Sequence, residues 1–127
     1  MNPALRKRFD QAVKFERDGQ LSLAKEILED LARLDPESAA IFCVLGDIYW
    51  KSGILDKAVA AFRKATELRP KLEAASLGLF IVLMKSDRAE QGYQEAKRFL
   101  SISKSQIYLD TVDEMYGNVK LGYDTKF

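Results

Sequence analysis

The side chains that could perform chemistry in this sequence are carboxylates and a single thiol. Its 127 residues include no histidine and one cysteine, Cys43. Histidine is the usual general base and metal ligand near neutral pH, so its absence excludes catalytic triads of the ordinary type and Cys/His zinc sites. A lone cysteine cannot form an intramolecular disulfide, and no glycine-rich phosphate-binding motif occurs.

Two groups of acidic residues are the remaining candidates for metal binding or hydrolysis. They are Glu26, Glu29 and Asp30, and Asp110, Asp113 and Glu114. Glu26 and Glu29 lie near Lys25 and Arg33, which is typical of exposed helix faces with ion pairs between successive turns. Cys43 has no basic residue or second cysteine nearby in sequence, so we interpret it as a small apolar helix residue. We expect no enzymatic activity, no metal and no cofactor.

Overall charge and hydropathy bear on whether the protein binds nucleic acid, enters a membrane or is secreted. Twenty basic and nineteen acidic residues leave a net charge of +1, so nucleic-acid binding is not expected. The longest apolar run, Leu77 to Met84, is far shorter than the ~20 residues that cross a bilayer. The N-terminus lacks the apolar stretch of a secretory signal, so we expect a cytoplasmic location and no membrane insertion. The length is that of one domain.

A period of 34 residues organises the chain. Shifting the sequence by that interval aligns Phe15, Gly19, Ala24 and Pro36 with Tyr49, Gly53, Ala58 and Pro70. A third copy matches more weakly and has Leu83, Asp87, Gly92 and Lys104 at the equivalent positions. A fixed period of this size predicts a solenoid of helical hairpins.

The middle copy, residues 39–72, resembles the tetratricopeptide repeat. The residues that carry the resemblance are Phe42, Leu45, Gly46, Tyr49, Gly53, Ala58, Phe62, Ala65 and Pro70. The resemblance implies an all-α fold, a tetratricopeptide-type α-α superhelix of about seven helices in a single domain, 1–127. Its repeats would span about 5–38, 39–72 and 73–106, followed by a capping helix at about 105–118 and a tail at 119–127.

The outer copies depart from this pattern in ways that predict local structure. Arg8 replaces the first aromatic residue, as suits a terminal repeat with a polar surface. Phe80 stands where the middle copy has Gly46, and small residues, Gly92 and Ala96, lie across the hairpin, so volume is conserved.

The helices are predicted at 3–18, 21–34, 37–52, 55–68, 71–86 and 89–102. Asp35 is expected to cap the third helix, with Pro36 as its first residue. The fifth helix is apolar nearly all round, which predicts an additional covering element.

In the tetratricopeptide family the first helix of each hairpin lines a concave groove that holds peptide segments or helices of partners. The resemblance therefore implies a protein–protein interaction module, an adaptor or chaperone-like subunit that binds a partner helix or an extended apolar peptide. The stripe that would line the groove includes Glu16, Ala74 and Gly78. The expected binding residues on or beside it are Phe9, Val13, Arg17, Cys43, Val44, Asp47, Trp50, Lys51, Leu77, Ile81, Met84 and Lys85.

Within that stripe, Trp50 is the expected exposed anchor. Arg17, Lys51 and Lys85 recur at intervals of 34 residues and would form a basic edge for acidic residues of the partner. The family's clamp for carboxylate termini is disfavoured, because Val13 and Val44 occupy its asparagine slots. Two other occupants of the groove stay open, namely a second copy of the chain in a structural homo-oligomer and the chain's own C-terminal helix or tail.

Overall fold

The computed structural model describes residues 1–116, and these form seven α-helices and no strand. The helices are α1 (Pro3–Arg17), α2 (Leu21–Leu34), α3 (Ala39–Lys51), α4 (Leu55–Leu68), α5 (Glu73–Lys85), α6 (Ala89–Ile102) and α7 (Gln106–Tyr116). The predicted all-α fold of about seven helices is confirmed. No helix within residues 1–116 is long and apolar enough to cross a membrane.

The helices pair as three successive hairpins. α1 packs on α2, α3 on α4 and α5 on α6, while α1 contacts α3 and α3 contacts α5. The odd-numbered helices therefore lie side by side in one layer. The second helices of the hairpins begin at Leu21, Leu55 and Ala89, each 34 residues after the last, as the sequence period predicts.

The start of α3 differs from the prediction. Asp35 ends α2, since its backbone N–H still donates to the carbonyl of Leu31 at 2.8 Å. Ser38 has an extended backbone, and its hydroxyl accepts a hydrogen bond from the N–H of Ile41. Ser38 is therefore the N-cap and Pro36 lies in the turn, so the predicted cap at Asp35 is wrong. Asp35 and Pro36 have the residue types of a helix start, but Ser38 lies immediately before the apolar helix and caps it instead.

The turns inside the hairpins require left-handed backbone at three equivalent positions. Gly19 has φ of 80° and Gly53 has φ of 77°, and the third hairpin has Asp87 there with φ of 59°. Glycine adopts this region without steric cost, whereas aspartate is one of the few other residues that tolerate it. The predicted turn glycines are confirmed.

The middle hairpin is joined to the third by one aromatic ring. A Cβ atom at Gly46 of α3 would lie 2.7 Å from the Phe62 ring, and one at Gly78 of α5 would lie 2.5 Å from it. Both distances are shorter than any real contact of a Cβ atom, so the ring packs directly against the backbones of both helices. Phe62 is 4% exposed.

In the third hairpin the bulky Phe80 of α5 packs with the small Ala96 of α6, and Gly92 of α6 lies close to the backbone of Phe80. Phe80 is fully buried in one cluster with Ala96, Phe99 and Tyr108. A Cβ atom at Gly92 would lie 3.0 Å from the sulfur of Met84 and 3.5 Å from the carbonyl oxygen of Phe80. The predicted compensation across the hairpin is confirmed, and Met84 takes up part of the space that Gly92 leaves.

The last described helix, α7, covers α5 as the apolar circumference of α5 predicts. Tyr108 stacks on Phe99 at a centroid distance of 4.8 Å, and its hydroxyl lies 2.9 Å from the hydroxyl of Ser76. Ser76 also donates to Glu95 at 2.6 Å, and Glu95 accepts from Arg98 at 2.6 and 3.0 Å. Every member of this network has a partner, so it fixes the register of α7 without an unsatisfied buried polar group.

Burial raises the pKa of Tyr108 well above its ordinary value, so its hydroxyl stays protonated. The predicted capping helix, 105–118, thus begins at Gln106. The remainder of that prediction, and the tail at 119–127, lie outside the described residues.

Substitutions at two equivalent turn positions, 53 and 87, should change the free energy of unfolding in opposite directions. Gly53→Ala should lower the free energy of unfolding by about 1 kcal/mol, because no atom lies within 4 Å of the new Cβ and the cost is backbone strain alone. Asp87→Gly should raise it by about 0.5 kcal/mol, since strain is relieved at some cost in chain entropy. Urea unfolding followed by circular dichroism measures both. Two changes of the same sign would contradict this account of the turns.

Candidate functional site

A cleft of about 380 Å³ opens on the layer of odd-numbered helices, and we call it the inner cleft. Its walls come from α1, α3 and α5, and its floor includes Phe62 of α4. The residues that line it are Glu16, Cys43, Val44, Asp47, Phe62, Ala74, Leu77, Gly78 and Ile81. Phe62 is reachable here because Gly78 has no side chain to cover the ring. The surface is apolar except for two carboxyl groups at one end.

Five of the twelve predicted binding residues lie in this lining. They are Cys43, Val44, Asp47, Leu77 and Ile81. Four of them are apolar or nearly so and half-buried, which leaves part of each side chain in contact with solvent. The structure therefore brings the second and third repeats of the predicted stripe together at one surface.

The residues of the first repeat lie elsewhere. Phe9 is 8% exposed and belongs to the N-terminal core, so it is not accessible to a partner. Val13 is half-buried against the same core. Phe9 faces inward because the α1–α2 hairpin needs an aromatic residue in its core where Arg8, in the usual aromatic slot, instead pairs with Asp30 at 2.8 Å.

Trp50 and Met84 do not line the inner cleft. Trp50 is half-buried and packs against the same core as Val44, so its role as an anchor stays a prediction. Met84 packs toward Gly92 of α6. Both residues have the helical spacing of the stripe, but neither belongs to the lining of the inner cleft.

The predicted basic edge is exposed, but its central member is paired within the chain. Arg17, Lys51 and Lys85 are all exposed. The ammonium group of Lys51 lies 3.2 Å from Glu16 and 3.1 Å from Asp47. Its charge is therefore balanced by carboxylates of the chain itself. Within the described range, 1–116, Arg17 and Lys85 form no ion pair.

Glu16 and Asp47 form a coupled carboxyl pair at the end of the inner cleft. Burial, followed by the hydrogen bond to Asp47, raises the pKa of Glu16 to about 7, although Lys51 acts in the opposite direction. Burial also acts to raise the pKa of Asp47, but hydrogen bonds from Glu16 and Lys51 outweigh it and the pKa is lowered. Glu16 is thus the partner that keeps the proton, and it donates to the Asp47 carboxylate. Near pH 7 the pair changes charge.

Cys43 lies in the lining as a neutral thiol. Burial, and after it the negative charge of Asp47 and Glu16, raises the pKa of Cys43 to about 11. A thiol with this pKa is a poor nucleophile and metal ligand at neutral pH. Its contribution to the cleft is apolar surface, as the sequence suggested.

A second cleft of about 330 Å³, the outer cleft, lies on the other side of α3 between α2 and α4. Its lining includes Phe42, Tyr49 and Ala60, with Lys57 and Lys64 also present. The acidic residues of α2 that the sequence offered for chemistry border this side. Glu29 accepts the hydroxyl of Tyr49 at 2.5 Å, and Asp30 pairs with Arg8 and Arg33. These carboxylates serve contacts between helices.

Sequence reasoning missed Phe62 as a lining residue. Its slot in the repeat is a core slot, and the structure keeps it in the core while exposing one part of the ring to the cleft. The signal that could have revealed it is Gly78, a glycine within an otherwise bulky apolar helix. Such a residue indicates that a large group approaches the backbone at that point.

The fold and the inner cleft together define an all-helical repeat protein with an apolar surface on its inner layer. Residues 39–72 match the model of the tetratricopeptide repeat family. The tetratricopeptide repeat predicted at residues 39–72 is therefore confirmed, and the described residues form three hairpins and a C-terminal helix. A comparison with curated proteins finds no significant match.

Solved structures share the fold at low sequence identity. The Yersinia enterocolitica type III secretion chaperone SycD, in complex with a peptide of the translocator YopD, is 13% identical, with a TM-score of 0.81 over 98% of this chain and 96% of that one. MamA is 18% identical, with a TM-score of 0.80 over 94% of this chain and 72% of that one. The Thermobaculum terrenum O-GlcNAc transferase is 20% identical with a TM-score of 0.70, and the match covers 76% of this chain but 19% of the enzyme. At these identities the likeness shows the fold alone.

The carboxyl pair predicts a pH dependence of stability. The folded state holds the Glu16 proton more tightly than the unfolded state, so this contribution to stability is complete below the ordinary glutamate pKa of 4.5 and is lost as the pH rises through about 7. The melting temperature of Glu16→Gln should therefore fall less between about pH 5 and 8 than that of the unmodified chain. Calorimetry at a series of pH values measures the difference.

The matched control for this titration is Glu67→Gln, which changes an exposed carboxyl group of α4. It should follow the pH profile of the unmodified chain. Carbon-detected NMR of the Glu16 carboxyl group should give a midpoint near 7. A midpoint near the ordinary value of glutamate would contradict the assignment of the proton.

Proposed function

We propose that this chain is an adaptor or chaperone-like subunit without catalytic activity, and that its inner cleft binds an apolar segment of a partner protein. The observation that carries the proposal is the cleft itself. It joins half-buried apolar side chains of α3 and α5 above the Phe62 ring, which lies at the floor of the cleft and is 4% exposed. Apolar concave surfaces of this kind on folded proteins are usually binding sites. The cytoplasmic location expected from the sequence is part of the same proposal.

The geometry favours an extended segment or one face of a helix over a small molecule. The cleft is open along the layer of odd-numbered helices, and its apolar residues are Cys43 and Val44 on α3 and Leu77 and Ile81 on α5. Leu77 and Ile81 are four positions apart and therefore lie on one face of α5, beside the adjacent Cys43 and Val44 of α3. The SycD structure provides a precedent in this fold, because that chaperone holds a peptide.

Occupation by the chain's own α7 receives no support from the described residues. α7 packs on the far side of α5 against Phe80 and Phe99, and it contributes no residue to the cleft lining. Occupation by the tail concerns residues outside the described range. Self-association is the other alternative, and light scattering separates it from partner binding. A monomer at tens of micromolar concentration excludes the structural homo-oligomer.

The proposal predicts that filling the inner cleft abolishes peptide binding. Ala74 is exposed and lines the cleft, so Ala74→Arg should obstruct it with little effect on folding. Peptides selected from a random phage-displayed library on the unmodified chain should bind this variant at least tenfold more weakly, about 1.4 kcal/mol. Fluorescence polarisation with the synthesised peptides measures the loss.

Ala60→Arg is the matched control, since it introduces the same side chain at an exposed alanine in the outer cleft. It should leave peptide affinity unchanged. The opposite pattern, with loss only in Ala60→Arg, would move the binding site to the outer cleft. Failure to select any peptide contradicts the proposed function.

A further inference from the structure

We infer that the inner cleft recognises an apolar partner segment that carries a lysine or arginine side chain, and that this cation binds between Glu16 and Asp47. The inference rests on the proposed function and adds the chemistry of the partner. It reverses the expectation from the basic edge, which would favour acidic partner residues. The reason is the distribution of charge at the end of the cleft.

Among the described residues, the charged side chains that line the cleft are the carboxyl groups of Glu16 and Asp47. Lys51 stands beside them, outside the lining, and serves both. With both carboxyl groups ionised, one cation faces two anions and the cleft carries a net negative charge. A second cation, supplied by a partner, would neutralise the remaining negative charge.

The apolar surroundings strengthen the attraction between the carboxyl groups and a second cation, compared with the same attraction in water. The Glu16 side chain is 12% exposed, and the α5 residues across the cleft, including Leu77 and Ile81, are apolar. Charges strengthen each other when water is excluded by apolar walls. A partner segment that covers the cleft would exclude more water and would therefore penalise an unbalanced carboxylate.

The site is accessible to an incoming side chain. Asp47 is 42% exposed and Lys51 is 48% exposed, so one oxygen of the pair can be reached from solvent while Lys51 shifts outward. A long aliphatic stem would lie along the apolar walls and place its charged end at the carboxyl groups, as lysine and arginine commonly do. An acidic side chain at the same place would meet two carboxyl groups and be repelled.

This arrangement couples binding to pH. The titratable groups around Glu16 are Asp47, Lys51 and Cys43 of α3, and the lining residues of α4 and α5 include none. A partner cation favours the ionised form of Glu16, so binding releases a proton while the unbound carboxyl group keeps it up to a pKa of about 7. Affinity should rise up to about tenfold between pH 6 and 8.

The test uses peptides from a random phage-displayed library, selected on the unmodified chain and on the double variant Glu16→Gln/Asp47→Asn. Binders that are sensitive to Ala74→Arg should be enriched in lysine or arginine next to apolar residues on the unmodified chain. That enrichment should disappear on the double variant, whose substituted side chains keep their shape but lose their charge. Glu67→Gln is the control and should preserve the enrichment.

A double-mutant cycle then assigns the contact. One synthesised binder and its analogue with norleucine in place of the cation are titrated by calorimetry at pH 6 and pH 8. The replacement should cost at least fivefold in affinity on the unmodified chain and nothing on the double variant. The rise with pH should be absent in Glu16→Gln. Thermal unfolding of each variant verifies folding, and Glu16→Gln alone serves if the double variant is unstable.

The outcomes separate the two proposals. Cleft-dependent binders without a preference for cations, or with a preference for acidic residues, would refute the inference and leave the proposed function standing. A penalty for norleucine that persists in the double variant would place the cation elsewhere and also refute it. Binders insensitive to Ala74→Arg would refute the proposed function itself.

Discussion

The contact of one phenyl ring with two helix backbones constrains the rest of this structure. Phe62 lies against α3 at Gly46 and against α5 at Gly78, and neither position has room for a Cβ atom. This close packing sets the distance between the second and third hairpins. It also makes the ring the floor of the inner cleft, so the same contact stabilises the core and shapes the proposed binding surface.

The two helices of the third hairpin pack with a different arrangement of large and small residues. This arrangement creates the surface on which the C-terminal helix packs. α5 has Phe80 in the slot where α3 has Gly46, so the bulk moves from the second helix of the hairpin to the first. Phe80 then extends to Tyr108, with ring centroids 6.1 Å apart, and helps to form the surface on which α7 packs. The weaker match of this copy to the repeat pattern is therefore a structural adaptation to the packing of α7.

The helix positions could be predicted from the sequence, because they follow the 34-residue repeat. The lining of the inner cleft could be predicted only in part, because it depends on contacts between residues that are distant in sequence. The 34-residue period gave the starts of α2, α4 and α6, and the apolar circumference of α5 anticipated its cover. Helical spacing placed Trp50 on the inner stripe, but spacing does not tell which residues of that stripe line the inner cleft. The pairing of Glu16 with Asp47 joins α1 to α3, and no local pattern indicates it.

The carboxyl pair is best understood by comparison with the buried carboxylate of α6. Glu95 is 8% exposed and is satisfied by two bonds from Arg98 and one from Ser76, so its charge is fully balanced inside the fold. Glu16 has comparable cover but shares one lysine with a second carboxyl group, and its ionisation lowers stability as the pH rises through 7. Local features that reduce stability without an evident gain in the fold tend to mark functional sites. A glutamine at this position would bond to Asp47 without that loss, and the negative charge that glutamate adds is the feature on which the inferred binding of a partner cation depends.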